Sequence, residues 1–187
     1  MTRGLISRAE ADLLYNLARD VKEGVIVEIG SFRGRSTTAL ALGSRAGHHV
    51  PVYAIEPHEQ YQVNPDTPRI GARDRGAFYR TMLRTRCFNE VRLVNLSSEE
   101  VCAGWNRPVG LLWIDGDHSV AGVRRDVDAW WPHLLHGIPV AFDDAIDAHS
   151  GPAKVIAEEV EAGRLTPERS VGKIRILRVA EHRPASK

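Results

Sequence analysis

The 187-residue sequence has little cysteine, no excess of either charge and no long apolar run. Two cysteines, Cys87 and Cys102, can build neither a disulfide framework nor a four-thiolate zinc site. No apolar stretch approaches ~18 residues, so no membrane span is expected. The opening residues, Met1-Thr-Arg-Gly-Leu-Ile-Ser-Arg, lack the apolar segment of a signal peptide, and a cytoplasmic location is the expectation. Lys+Arg 25 against Asp+Glu 24 leaves a net charge of +1, without the basic excess of a general polyanion binder. Neither nucleic acid nor membrane is therefore expected as a partner. Repeats, linkers and low-complexity segments are absent, which predicts one domain over 1–187. What the chain does have is a 43% apolar content, enough for a buried core.

Strands and helices alternate along it. Ser7-Arg-Ala-Glu10 has capping-box spacing, and Leu13, Leu14, Leu17, Ala18 and Val21 follow with helical period, predicting a helix over 8–21. Apolar runs at 25–30, 50–56, 91–96, 109–114 and 138–142 read as buried strands, and 173–179 as a closing one. Helices are predicted over 37–42, 74–85, after 97–100, over 120–134 and over 151–163. Residues 58–73 read as a long polar loop, a feature that in compact domains often serves function. This alternation predicts a doubly wound α/β fold, a Rossmann-like, mostly parallel sheet with helices on both faces.

In such a sheet ligands bind beyond the carboxyl ends of the strands. Those ends are Gly30-Ser-Phe-Arg-Gly34, Glu56-Pro-His58, Ser97-Ser98, Asp115-Gly-Asp-His118 and Asp143-Asp144, and each is polar. Gly30 and Gly34 suit a tight turn into a helix whose free N–H groups face an anion, although plain turn geometry would also use them. Glu56, 22 residues beyond Gly34, suits a ribose diol, or simply faces water.

The acids are more telling. Asp115, Asp143 and Asp144 come from two neighbouring strand ends, and carboxylates ~4 Å apart repel by about 1 to 4 kcal/mol per pair. Oxygen ligands suit Mg²⁺ or a similar divalent cation, which would relieve that repulsion. Helix capping or solvation is the alternative for one or two of them. His118, three residues after Asp115, could take a proton from a hydroxyl, or be an ordinary loop histidine. The arginines from Arg69 to Arg86 read as a solvated helix face, or else as steering for an acceptor. Trp130 and Trp131 read as core or interface residues.

The full dinucleotide fingerprint is missing. Instead the run Glu28-Ile-Gly-Ser-Phe-Arg-Gly34, followed by Glu56, resembles motifs I and II of class I S-adenosylmethionine-dependent methyltransferases, over about 25–179. That resemblance implies S-adenosylmethionine as cofactor, with Glu28, Gly30 and Ser36 at its methionine end, Glu56 on the ribose and Ser97 and Ser98 near the adenine. The stretch from Trp113-Ile-Asp-Gly-Asp-His118 to Ala141-Phe-Asp-Asp144 resembles a narrower group, the metal-dependent O-methyltransferases of catechol, cephalosporin-hydroxylase-like and macrolide-sugar type. By it, Asp115, Asp143 and Asp144 would hold Mg²⁺, while Asp115 and His118 would be catalytic. A histidine at 118, where the catechol branch has lysine, looks more like the sugar-modifying branch. The implied enzyme is an O-methyltransferase acting on a hydroxyl of a small acceptor, a saccharide favoured over a phenol or other natural-product hydroxyl. The short chain, with two adjacent tryptophans and a long polar loop over the cleft, leads to the separate expectation of a homodimer. Two rivals remain open here: an NAD-dependent oxidoreductase on a similar sheet, and a non-catalytic interaction domain derived from one.

Overall fold

A computed structural model describes residues 6–59 and 71–180. The first helix, α1 (Arg8–Arg19), is capped as the spacing predicts. The Ser7 hydroxyl accepts from the Glu10 N–H, and the Glu10 carboxylate accepts from the Ser7 N–H. It is followed by β1 (Val25–Ile29), α2 (Arg35–Ala46), β2 (Val52–Ile55), α3 (Ala72–Thr85), β3 (Val91–Val94), α4 (Ser98–Ala103) and β4 (Val109–Ile114). Then come α5 (Val120–Trp130), a short 3₁₀ turn (Trp131–His133), β5 (Pro139–Phe142), α6 (Gly151–Glu161), β6 (Leu165–Val171) and β7 (Ile174–Val179).

The seven strands form one sheet in the order β3-β2-β1-β4-β5-β7-β6. β1 to β5 run parallel, and β7 joins antiparallel to β5 and to β6. The central strands β1, β4 and β5 are buried on both faces, as a parallel sheet with helices on each side requires. On one face Ile26, Leu111, Trp113 and Ile176 pack with Leu14 and Leu17 of α1, Leu40 of α2 and Phe78 of α3. On the other, Val27, Leu112, Ile114 and Phe142 pack with Val123 and Val127 of α5 and Val155 of α6.

The fold class is the expected one, with two local differences. β6, sequence Leu-Thr-Pro-Glu-Arg-Ser-Val, has no alternating apolar signal, because it is an exposed edge strand whose register shifts next to Pro167. The helix expected over 120–134 stops at Trp130, since Pro132 cannot continue its hydrogen bonding and the chain tightens into the 3₁₀ turn. Most of the expected 58–73 loop lies outside the described residues, as does Arg69. Among the described residues no helix is long and apolar enough to cross a membrane.

Candidate active site

The order of the sheet reverses between β1 and β4, and the residues beyond those two strands line a cavity of about 700 Å³. Gly30, Ser31, Phe32 and Ser36 form one wall, Glu56, Ser97 and Ser98 a second, and Asp115, His118 and Asp144 the far end.

The first wall turns tightly. Gly30 has φ +86°, Phe32 +42° and Gly34 +83°, after which α2 starts with no side chain capping its first amides. A helix start without a side-chain cap is a place where backbone N–H groups can meet an anion. Glu56, 2% exposed, holds this loop: one carboxylate oxygen accepts from the Phe32 N–H at 3.1 Å, the other from the His58 N–H at 3.2 Å. His58 adds a latch that the sequence did not signal. Its Nε2 lies 2.6 Å from the Phe32 carbonyl oxygen and its Nδ1 3.0 Å from Asn95 Nδ2. Arg33 reaches out to Asp74 at 2.7 Å, tying the loop to the start of α3.

Glu28 departs from its expected place. Its side chain is fully buried beneath the cavity wall, where it accepts hydrogen bonds from the Ser36 and Thr37 hydroxyls. Burial pushes its pKa up to about 8, against the two donors, which lower it. Glu28 thus supports Ser36 and the start of α2 and does not line the cavity. Ser97 is committed to the cap of α4, exchanging hydrogen bonds with Glu100. Ser98 accepts from Trp130 Nε1 at 2.8 Å. Trp130 is therefore a core residue, while the ring of Trp131 carries the Arg164 guanidinium at 4.7 Å. Asp126 lines the cavity near Ser98, and its burial lifts its pKa to about 6 although the Ser98 hydroxyl opposes this. Its place on α5 is set by helix packing, which no local motif announces. Arg73, Arg75, Arg80, Arg84 and Arg86 are exposed and none lines the cavity.

At the far end the acids and the histidine do meet. One ligand atom each from Asp115, His118 and Asp143 lies within 4.8 Å of the others. Asp144 stands outside that trio. Its Oδ2 is 3.1 Å from His118 Nδ1, and its left-handed backbone, φ +47°, turns it there. His118 Nε2 is 3.5 Å from Asp115 Oδ1. Burial raises the Asp115 pKa to about 7, with the Asp143 charge adding to the rise and the hydrogen bond to His118 opposing it. The hydrogen bond to Asp115 raises the His118 pKa, against burial.

The expectation of three unscreened carboxylates needs correction, because a cation is already present. Lys173 Nζ lies 2.5 Å from Asp143 Oδ2 and 3.0 Å from Asp144 Oδ1. Asp143 is itself buried and does not line the cavity. Lys173 follows Gly172 in the β6–β7 turn, and nothing in its sequence context points to this site.

A methyltransferase-domain family profile matches residues 27–145, from β1 through both strand ends that carry the acids. The chain belongs to the methyltransferase domain family. Solved structures with the same fold include an O-methyltransferase from Bacillus cereus in complex with SAH. It is 18% identical with a TM-score of 0.70, over 94% of this chain and 82% of that one. The SAH-bound methyltransferase PaMTH1 of Podospora anserina is 16% identical with a TM-score of 0.73, over 95% of this chain and 80% of that one. A putative caffeoyl-CoA O-methyltransferase of Staphylococcus aureus is 17% identical with a TM-score of 0.73, over 95% of this chain and 86% of that one. Family membership rules out the oxidoreductase reading. The cavity at the β1/β4 reversal is lined by the first wall at one end and by Asp115, His118 and Asp144 at the other.

Proposed function

We propose that this methyltransferase transfers a methyl group from S-adenosylmethionine to a hydroxyl of a small acceptor, with a saccharide favoured and a divalent cation assisting. The observation that carries the reading is one cavity with two different ends: a glycine loop and Glu56 at one, a carboxylate–histidine cluster at the other. The SAH-bound relatives support the methyl donor. So do the uncapped amides of α2, which suit its carboxylate, and Glu56, whose remaining lone pairs suit ribose hydroxyls. Gly30 and Ser36 would lie at the methionine end, with Glu28 behind them, and Ser97, Ser98 and Asp126 at the adenine end. S-adenosylmethionine supplies a methyl group already activated on a sulfonium.

The residues' share is alignment and proton removal. With the proton on Nδ1, 3.1 Å from Asp144 Oδ2, the lone pair of His118 would lie on Nε2, a buried atom 3.5 Å from Asp115 Oδ1. The His118–Asp115 pair would take the acceptor's proton. Asp143 Oδ1 is also buried and unpartnered, and with Asp115 it would hold the cation. A bound Mg²⁺ supplies Lewis acidity that lowers the pKa of a hydroxyl. Asp144 leaves the expected ligand set and becomes the group that orients His118.

The saccharide preference rests on the lining. Among the described lining residues Phe32 is the one Phe, Tyr or Trp, beside Arg33, Glu99, Asp117 and Arg125, which suits a polyhydroxylated acceptor better than a phenol. A homodimer completes the reading. It is supported by the exposed Tyr79 and Leu83 one turn apart on α3, with Phe88 after it. A concentration-independent monomer mass in light scattering would remove it.

Radiolabelled methyl transfer to a panel of sugars and phenols, with and without EDTA, tests the whole. Transfer to sugars that stops in EDTA and returns with Mg²⁺ is expected. Full activity in EDTA sinks the cation, and label on phenols alone sinks the saccharide.

A further inference from the structure

The acid cluster contains a cation that methyl transfer does not call for. The Lys173 ammonium sits on Asp143 Oδ2 and Asp144 Oδ1, and leaves Asp143 Oδ1 buried without a partner in a carboxylate that has a ligand atom within 4.8 Å of Asp115 and His118. Its backbone is held on both sides. The Lys173 N–H donates to Glu10 Oε1 at 2.8 Å, and its carbonyl oxygen accepts from the Ala145 N–H at 3.0 Å, one residue past the acid pair. Glu10, 4% exposed, takes the Ser7 N–H on its other oxygen at 2.6 Å. One carboxylate therefore caps α1 and fixes the β6–β7 turn. Gly172 makes this approach possible, since with φ +56° a Cβ there would lie 2.2 Å from Glu10 Oε1.

We propose that Lys173 is a built-in counter-ion of the acidic cluster, competing with a divalent cation for Asp143, and that Glu10 positions it. The inference rests on the reading of Asp115 and Asp143 as cation ligands. A buried carboxylate needs a partner charge, and Asp143, 1% exposed, already has one. A divalent cation arriving at the buried Oδ1 meets a positive charge on the same carboxylate. Lys173 therefore offsets part of the cluster's negative charge and keeps cation affinity low. With the backbone pinned, only the side-chain rotamers remain to be ordered when the ammonium seats.

The test is Mn²⁺ binding by calorimetry to the wild type, Lys173→Met, Lys173→Arg and Glu10→Gln, with circular dichroism and SAH binding as checks of folding. Lys173→Met should bind Mn²⁺ at least tenfold more tightly than wild type, and Lys173→Arg within about threefold of it, because the charge is kept. Glu10→Gln offers one acceptor oxygen to two N–H donors, so it should loosen the turn and tighten Mn²⁺ binding by a smaller factor; it decides the matter if Lys173→Met does not fold. Equal affinity in wild type and Lys173→Met overturns the counter-ion and leaves the cation reading standing. Binding by Lys173→Met alone supports the counter-ion and removes the cation from the wild-type reaction. No binding by either folded protein overturns both.

Discussion

Gly30 and Asp115 touch through backbone alone: a methyl group on Gly30 would sit 2.1 Å from the Asp115 carbonyl oxygen. The Asp115 N–H, in turn, donates to the carbonyl of Ile29 at 2.8 Å. The end of β1 that turns into the first wall of the cavity and the end of β4 that carries the first acid are therefore one joint. Only a residue without Cβ, at φ +86°, fits there.

Gly30→Ala should accordingly be severe. It adds strain at a left-handed backbone position and a collision with an atom that cannot rotate away. We expect either no soluble protein or a melting temperature lower by about 10 °C or more. A variant that melts within about 2 °C of wild type would show that the joint can relax.

Glu56→Ala should weaken S-adenosylmethionine by ~1–3 kcal/mol, about 5- to 150-fold in Kd, the scale for losing charge-assisted hydrogen bonds. The loss has two parts, since Glu56 also holds the Phe32 and His58 amides. Titration calorimetry with SAH is the measurement, and unchanged affinity takes Glu56 out of the cofactor site.

Stability should fall as pH rises from 5 to 8. Glu28, with its pKa raised by burial to about 8, keeps its proton in the folded state where the unfolded chain has released it, so the folded state binds more protons across that window. Asp115 at about 7 and Asp126 at about 6 act with the same sign, as does the raised pKa of His118. Thermal melts at several pH values should show this decline, and Glu28→Gln should flatten it. An equal slope in Glu28→Gln would assign the pH dependence to the other groups.

His118→Ala should keep cofactor and cation binding but slow methyl transfer by ~10²–10⁴-fold, the range for a lost general base. The loss should be smaller on an acidic phenol than on a sugar hydroxyl, because the phenol ionises with less help. Single-turnover rates on both acceptors decide it. Wild-type rates on the sugar, with chemistry limiting, would rule out His118 as the base.

Much of this protein is written locally. The apolar runs ending in Glu28-Ile-Gly30, Glu56 and Asp115 name the central strands and the residues just beyond them, because a strand buried on both faces needs a continuous apolar run and its polar end must leave the sheet. The capping boxes at Ser7 and Ser97 set helix starts in the same way, within four residues. Tertiary structure alone decided the rest. β6 is an exposed edge whose pairing with β7 replaces any apolar pattern. Glu28 went under the wall because the Ser36 and Thr37 hydroxyls of α2 meet it there. His58 and Asn95 meet across 37 positions, and Lys173 reaches Asp143 across 30. A charge's partner is set by distance in space, and a chain folded into a sheet brings together residues whose separation in sequence carries no trace of it.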